Sequence, residues 1–170
     1  MRKGSAVGSE YDRKGKRKAR QEVSGVSSQP LRYIEILMIS PWTIELNEGN
    51  GYPFTPVKKI QVANPTSFIA QKILIHQERD YKDRAKDLLY VHDTIELFSQ
   101  HLGELCGIYE RDVRPRLHAN RIAELTKARD GLFGKVNDTI REAALMASGR
   151  KVSAEKLAET CRAGLKEIFS

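Results

Sequence analysis

Apolar residues recur at steps of three and four between residues 88 and 105, which is the spacing of one face of an α-helix. The positions on this face are Leu88, Val91, Ile95, Phe98, Leu102 and Leu105. Three further helical patterns follow near residues 112–128, 131–147 and 153–169, and Ser153 is the expected N-cap of the last one. The second half of the chain is therefore predicted to be helical.

Short segments rich in β-branched and aromatic residues precede these helices. Residues 33–39, Trp42–Leu46 and residues 57–62 are predicted strands, and residues 47–51 form a turn cluster with an Asn-Gly step. Because strands come first and only helices follow, the order of elements favours an α+β fold. We expect a short mixed β-sheet of about three strands followed by a helical C-terminal bundle.

A helix is predicted over Pro65–His76, between the last strand and the long apolar face. Asn64 is a preferred N-cap residue. Proline at the first helical position fixes φ and loses no hydrogen bond, because the amide at that position has no acceptor within the helix. Phe68, Ile69 and Ile73 contribute to its apolar face.

The positive charge of the chain is concentrated at its N-terminus. The whole sequence has 29 basic and 22 acidic side chains, a net charge of +7. Residues 1–20 hold eight of the basic and two of the acidic side chains, a net of +6, which leaves 21 against 20 for the rest. Residues 1–30 are predicted to be a basic flexible arm. Such an arm could bind nucleic-acid phosphates, or it could be a solvated terminus.

Composition excludes several classes of protein. No run of about 18 apolar residues is present, which argues against a membrane span. The basic N-terminus has no apolar region of the kind found in secretory signals. Two cysteines are too few for a disulfide framework, so a reducing cytoplasm is the expected compartment.

Glu35 is a carboxylate at the centre of the predicted strand over residues 33–39. A carboxylate in that position is costly to bury unless it is paired or binds a cation. The alternative is an edge strand whose second face, which carries Glu35, is exposed to solvent.

Lys72 and Asp87 are charged residues within apolar helical patterns. Lys72 could reach the surface with its long side chain, or it could point into a cleft and meet a nucleotide phosphate. Asp87 directly precedes Leu88 and Leu89, so it is predicted to lie beside the apolar face. If buried there it needs a basic partner, and Lys72 or Lys86 could serve.

Several common site motifs are missing from the sequence. The four histidines show no metal-ligand spacing, and no Gly-x-Ser-x-Gly, P-loop or Gly-x-Gly-x-x-Gly pattern occurs. Residues 4–12 contain Gly-Ser steps followed by Asp12, but no strand pattern supports a phosphate loop. We interpret this segment as a coincidence.

Four segments carry a family resemblance, and they are residues 33–37, 42–46, 62–76 and 83–88. Their most specific part is a Pro-x-x-Phe-x-x-x-Lys helix followed by Arg-x-Lys-Asp. Together they resemble the C-terminal half of bacterial nucleotidyltransferase-fold proteins, relatives of polymerase-β-like minimal nucleotidyltransferases and AbiEii-type toxins. The resemblance covers roughly residues 30–105.

The resemblance implies a mixed sheet flanked by helices and Mg²⁺- and NTP-dependent nucleotidyl transfer. In such proteins an aspartate pair and a third carboxylate hold magnesium ions, which neutralise charge as an alcohol displaces pyrophosphate. Glu35 matches the third carboxylate, which implies a catalytic and metal-binding role. Lys72 matches a helix lysine that meets nucleotide phosphates, and Asp87 matches an acidic residue on the next helix.

The sequence also departs from that pattern, because no Gly-Ser loop with an Asp-x-Asp strand precedes residue 33. We therefore expect a truncated or catalytically incomplete nucleotidyltransferase. The expected domains are a basic arm over residues 1–30, a partial nucleotidyltransferase-like core over 31–108 and a helical region over 109–170. The alternative is a non-catalytic binding module, either a toxin–antitoxin component or a nucleic-acid binder that uses residues 1–20.

Overall fold

The computed structural model describes residues 10–11, 17–18, 21–23, 26–28, 33–53, 56–147 and 149–170. The chain divides into two units, Met1–Arg32 and Tyr33–Ser170. In the first unit β1 (Glu10–Tyr11) pairs antiparallel with β2 (Arg17–Lys18), and β3 (Gln21–Val23) pairs antiparallel with β4 (Val26–Ser28). The bounds of the three predicted domains stay predictions.

The second unit begins with a short helix, α1 (Ile34–Leu37), where the sequence predicted a strand over residues 33–39. The strand prediction is wrong. Ile36 and Ile39 are both buried, and their separation of three residues is the spacing of a helix. Tyr33 precedes the helix in the left-handed region with φ 59°. Packing against the next helix decides the conformation here, over the β preference of the isoleucines.

A two-stranded hairpin follows α1. Strand β5 (Trp42–Leu46) pairs antiparallel with β6 (Lys58–Val62), with Ile44 opposite Ile60. The strand prediction for Trp42–Leu46 is confirmed, and the α+β class is confirmed. The expected mixed sheet of about three strands is corrected to an antiparallel pair, because the first predicted strand is helical. Trp42 packs edge-on against Phe98, with ring centroids 5.8 Å apart, and so ties the hairpin to the helices.

Six further helices complete the described part of this unit. Pro65–His76 is helical as predicted, and Ser153 caps the last helix by accepting from the Lys156 amide at 3.1 Å. The helices are α2 (Pro65–His76), α3 (Tyr81–Leu97), α4 (Leu102–Ile108), α5 (Ala119–Gly131), α6 (Asp138–Met146) and α7 (Ala154–Ile168). None of the described helices combines the length and the apolar composition needed to cross a bilayer.

The helix predicted near residues 112–128 begins later than expected. Tyr109–Val113 is a π-helical turn and Arg114–Arg116 is a 3-10 turn, so α5 begins only at Ala119. Pro115 explains the delay, because proline cannot donate a helical hydrogen bond and disfavours helix at the preceding residue.

Helix α3 is the centre of the core, and α2, α6 and α7 pack around it. Leu88, Val91 and Ile95 on α3 are each at most 2% exposed. Helix α7 approaches closely at Gly164, where a Cβ atom would collide with the side chain of Ile95. The close approach explains why a glycine stands in the middle of α7.

Asn64 joins the start of α2 to the segment between α1 and β5. Its Oδ1 accepts from the Ser67 amide at 2.8 Å, which confirms the predicted N-cap. Its Nδ2 donates to the carbonyl oxygens of Ile39 at 2.7 Å and Ser40 at 3.1 Å. Asn64 is fully buried, so it is both a helix cap and an internal tether.

Candidate functional site

Lys72 and Asp87 form a buried ion pair between α2 and α3. Lys72 Nζ donates to Asp87 Oδ1 at 2.8 Å, and the two side chains are 13% and 5% exposed. The sequence predicted a basic partner for Asp87, with Lys72 as one of two candidates, and the contact with Lys72 is confirmed. The pair links α2 to α3 near the turn that joins these two helices.

Arg79 brings a second cation to the same carboxylate. Its Nε lies 3.3 Å from Asp87 Oδ2, yet both atoms are buried without a hydrogen-bond partner. Arg84 fixes the connecting turn, since its Nε donates to the Arg79 carbonyl at 2.8 Å and its Nη2 to the Gln77 carbonyl at 3.1 Å. Asp87 is thus hydrogen-bonded to Lys72 and only electrostatically paired with Arg79.

Two aromatic rings flank the Lys72 ammonium. Lys72 Nζ lies 5.4 Å from the ring centroid of Phe68 and 5.3 Å from that of Tyr90. The two rings are 6.3 Å apart and inclined at 51°. Lys86 Nζ lies 5.6 Å from the Tyr90 centroid, so Tyr90 contacts both ammonium groups. Ammonium groups beside a partly exposed ring can bind phosphate and a flat heterocycle together.

The last turn of α2 places His76 near this cluster. His76 is buried and its Nδ1 has no hydrogen-bond partner. Burial lowers the pKa of His76 below its ordinary value, and the nearby Arg84 lowers that pKa further, while Asp87 opposes the shift. His76 is therefore held neutral in the folded protein.

Protonation of His76 is expected to destabilise the fold as the pH falls. The unfolded chain takes up a proton near the ordinary pKa of 6.5, while the folded protein resists protonation. The free energy of unfolding should therefore decline as the pH falls through 6.5 toward the lower folded pKa. His76→Gln should flatten this slope in urea unfolding at a series of pH values, whereas His118→Gln, at an exposed position, should leave it unchanged. An equal slope in His76→Gln would contradict the assignment.

Glu35 lies apart from the interactions of this pair. It is exposed in the first turn of α1, and within the described part of the chain it forms no hydrogen bond or ion pair with Lys72 or Asp87. The strand that would have carried it inward is absent, because residues 34–37 are helical. The structure thus joins two of the three predicted site residues.

Among the described residues, one group of three side chains has ligand atoms close enough to share a metal ion. His92, Asp93 and Glu96 on α3 place these atoms within 4.8 Å of one another. Arg150 donates two hydrogen bonds to the Asp93 carboxylate, from Nη1 at 2.7 Å and from Nη2 at 3.0 Å. His92 Nδ1 lies 3.1 Å from the same carboxylate. Burial acts to raise the pKa of Asp93, but Arg150 and His92 hold it below its ordinary value. The group is therefore a satisfied ion-pair network.

The described residues do not fit the magnesium site that the resemblance implies. Mg²⁺ prefers near-octahedral oxygen coordination with one or more carboxylates. Glu35 belongs to no group of potential ligands in the described part of the chain, and Asp93 is neutralised by Arg150.

The sequence interpretation missed Arg79 and Tyr90, and it placed Phe68 on an apolar face and in the Pro-x-x-Phe-x-x-x-Lys motif without giving it a role at the site. A signal for the aromatic residues was present, because Phe68 and Lys72, like Lys86 and Tyr90, are four residues apart and lie together on a helix. Arg79 lies in the turn between α2 and α3, where no periodic pattern indicates its direction.

Comparison with known proteins gives one match. A family described as nucleotidyltransferase matches residues 7–111, which is more than half of the chain and includes α1 to α4 with both strands of the hairpin. The matched region contains Gly8, Ser9 and Asp12, from the segment interpreted above as a coincidence, and these three positions lie outside the described residues. No curated protein and no solved structure matches the chain. The chain belongs to the nucleotidyltransferase family.

Proposed function

We propose that this protein binds a nucleoside triphosphate at the Lys72–Asp87 site and is catalytically incomplete as a nucleotidyltransferase by itself. The observation that carries the proposal is the buried Lys72–Asp87 pair, whose ammonium lies 5.4 Å from the ring centroid of Phe68 and 5.3 Å from that of Tyr90. Membership of a nucleotidyltransferase family supplies the class of ligand.

The charge around Asp87 favours a polyanionic ligand. Lys72 and Arg79 both lie within 4 Å of its carboxylate oxygens, and Lys86 adds a third cation against the Tyr90 ring. Two cations beside the Asp87 carboxylate and a third against the Tyr90 ring leave an excess of positive charge that a triphosphate can neutralise. Tyr90 is 37% exposed, so part of its ring is available for stacking with a base.

Catalytic incompleteness follows from the carboxylates. Two-metal phosphoryl transfer needs several carboxylates around the reacting phosphate. The 170 residues contain no Asp-x-Asp, and Glu35, for which we propose the role of the third carboxylate, is exposed on α1. Glu35 alone is insufficient to hold the metal ions of the reaction.

The test combines binding and transfer of radiolabelled ATP in the presence of Mg²⁺. We expect the protein to retain label in equilibrium dialysis and to transfer none to itself, to RNA or to added protein. Lys72→Met should weaken retention by at least about tenfold, the size expected for losing one charge-assisted contact, while Lys127→Met at an exposed position should not. Robust transfer that Glu35→Ala abolishes would overturn incompleteness, and equal retention by Lys72→Met would overturn the site.

A second candidate function is nucleic-acid binding through residues 1–20, either alone or as a toxin–antitoxin component. The observation in its favour is the net charge of +6 on that segment. A chain lacking residues 1–20 should then lose affinity for random-sequence duplex and show a shallower dependence on salt. Equal binding by the shortened chain would count against this function.

A further inference from the structure

In the structure the Lys72 ammonium interacts with one carboxylate and two aromatic rings. It donates to Asp87 Oδ1 at 2.8 Å and lies against the rings of Phe68 and Tyr90. The Lys72 side chain is 13% exposed and that of Asp87 only 5%, so an ammonium that moves outward onto a phosphate leaves a buried carboxylate behind. A buried carboxylate left without a cation is strongly unfavourable, so ligand binding through Lys72 requires a replacement for it.

Arg79 is placed to be that replacement. Its Nε is 3.3 Å from Asp87 Oδ2 without hydrogen-bond geometry, and both atoms lack any other hydrogen-bond partner. Its backbone carbonyl is held by Arg84, while its side chain is one-third exposed. A small rotation of the side chain would therefore complete a charge-assisted hydrogen bond to Asp87 without moving the turn.

We propose that Arg79 is a positioning residue. It replaces Lys72 as the cation hydrogen-bonded to the Asp87 carboxylate when Lys72 moves onto the triphosphate of a bound nucleotide. The proposal rests on the proposed nucleotide function and assigns Arg79 no contact with the ligand. Asp87 then stays paired with a cation in both states, and the ammonium of Lys72 is released at low cost. The ligand chemistry it serves is a linear polyphosphate.

The test is a double-mutant cycle read by calorimetric titration with inorganic tripolyphosphate, using the full chain. Arg79→Ala should weaken binding about tenfold, because Lys72 must stay on Asp87, and Arg79→Lys should restore most of the affinity. Asp87→Asn frees Lys72 and should bind at least as tightly as the wild type. In the Asp87→Asn background, Arg79→Ala should change the affinity less than about twofold. Arg162→Ala, at an exposed position on α7, is the matched control and should have no effect.

The outcomes separate this inference from the function on which it rests. Loss of affinity from Arg79→Ala that is equal in both backgrounds would mean that Arg79 contacts the phosphate itself, and no loss would mean that it has no role; either result overturns the proposal. Unchanged binding by Lys72→Met would instead overturn the nucleotide site. If Arg79→Ala fails to fold by circular dichroism, Arg79→Gln provides the same comparison.

Discussion

Replacing Asp87 by alanine is expected to lower the free energy of unfolding by about 3–5 kcal/mol, because it leaves the largely buried ammonium of Lys72 without a partner. Arg79 loses the same carboxylate, although its partly exposed side chain can turn toward solvent. Urea unfolding followed by circular dichroism measures the loss directly. A loss below about 1 kcal/mol, the range of surface pairs, would show that the pair is not buried in solution.

A paired replacement separates the cost of a broken pair from the value of an intact one. Lys72→Met with Asp87→Leu removes both charges and keeps side-chain volume at the α2–α3 interface, so the double variant should be more stable than Asp87→Ala by about 2 kcal/mol or more. Asp130→Ala is the control, because Asp130 forms an exposed pair with Arg129, and it should leave the unfolding midpoint nearly unchanged. A double variant less stable than Asp87→Ala would show that this interface depends on the charges themselves.

Asn64→Ala is expected to lower the free energy of unfolding by about 2–4 kcal/mol, the sum of a lost helix cap and of a partly buried carbonyl left without its donor. The cap is the contact from the Ser67 amide, and the carbonyl is that of Ser40, which accepts from Asn64 Nδ2. Ser67 Oγ also donates to the Ile39 carbonyl at 3.2 Å, so that oxygen keeps one partner. Thermal and urea unfolding of the variant measure the total.

Asn64→Asp divides the two contributions. The introduced carboxylate keeps the cap acceptor but faces the Ile39 and Ser40 carbonyl oxygens without a proton to donate. We expect lower stability than the wild type at neutral pH, because an ionised group is disfavoured there. Stability should recover as the pH falls and the carboxyl becomes protonated, since the folded state raises its pKa. No recovery on acidification would show that the donor role of Asn64 contributes little.

Local signals predicted the elements that depend on a few adjacent residues. Asn64 and Pro65 determine the start of α2 through a side-chain cap and a fixed φ, and Ser153 caps the start of α7. The strand prediction for residues 33–39 was wrong because an apolar run this short fits the spacing of a strand and of a helix equally well. The burial of both Ile36 and Ile39 favoured the helix. The late start of α5 depends on Pro115 and on the π-helical turn before it.

The candidate site was predictable to the extent that charge burial demands a partner. Asp87 lies next to apolar residues in the sequence, and a buried carboxylate requires a cation, for which Lys72 and Lys86 were the candidates. The structure pairs Asp87 with Lys72. Arg79 reaches Asp87 through the conformation of the turn over residues 77–80, which Arg84 holds by two backbone contacts. The direction of a side chain in a turn leaves no periodic pattern in the sequence, so the contact of Arg79 with Asp87 was found only in the structure.

Amide chemical-shift mapping of the 19.3 kDa protein during titration with ATP tests the nucleotide site most directly. The account predicts that the shifts cluster around Phe68, Lys72, Asp87 and Tyr90 on α2 and α3, and that Lys72→Met removes them. Shifts confined to residues 1–20, or an unchanged pattern in Lys72→Met, would contradict it.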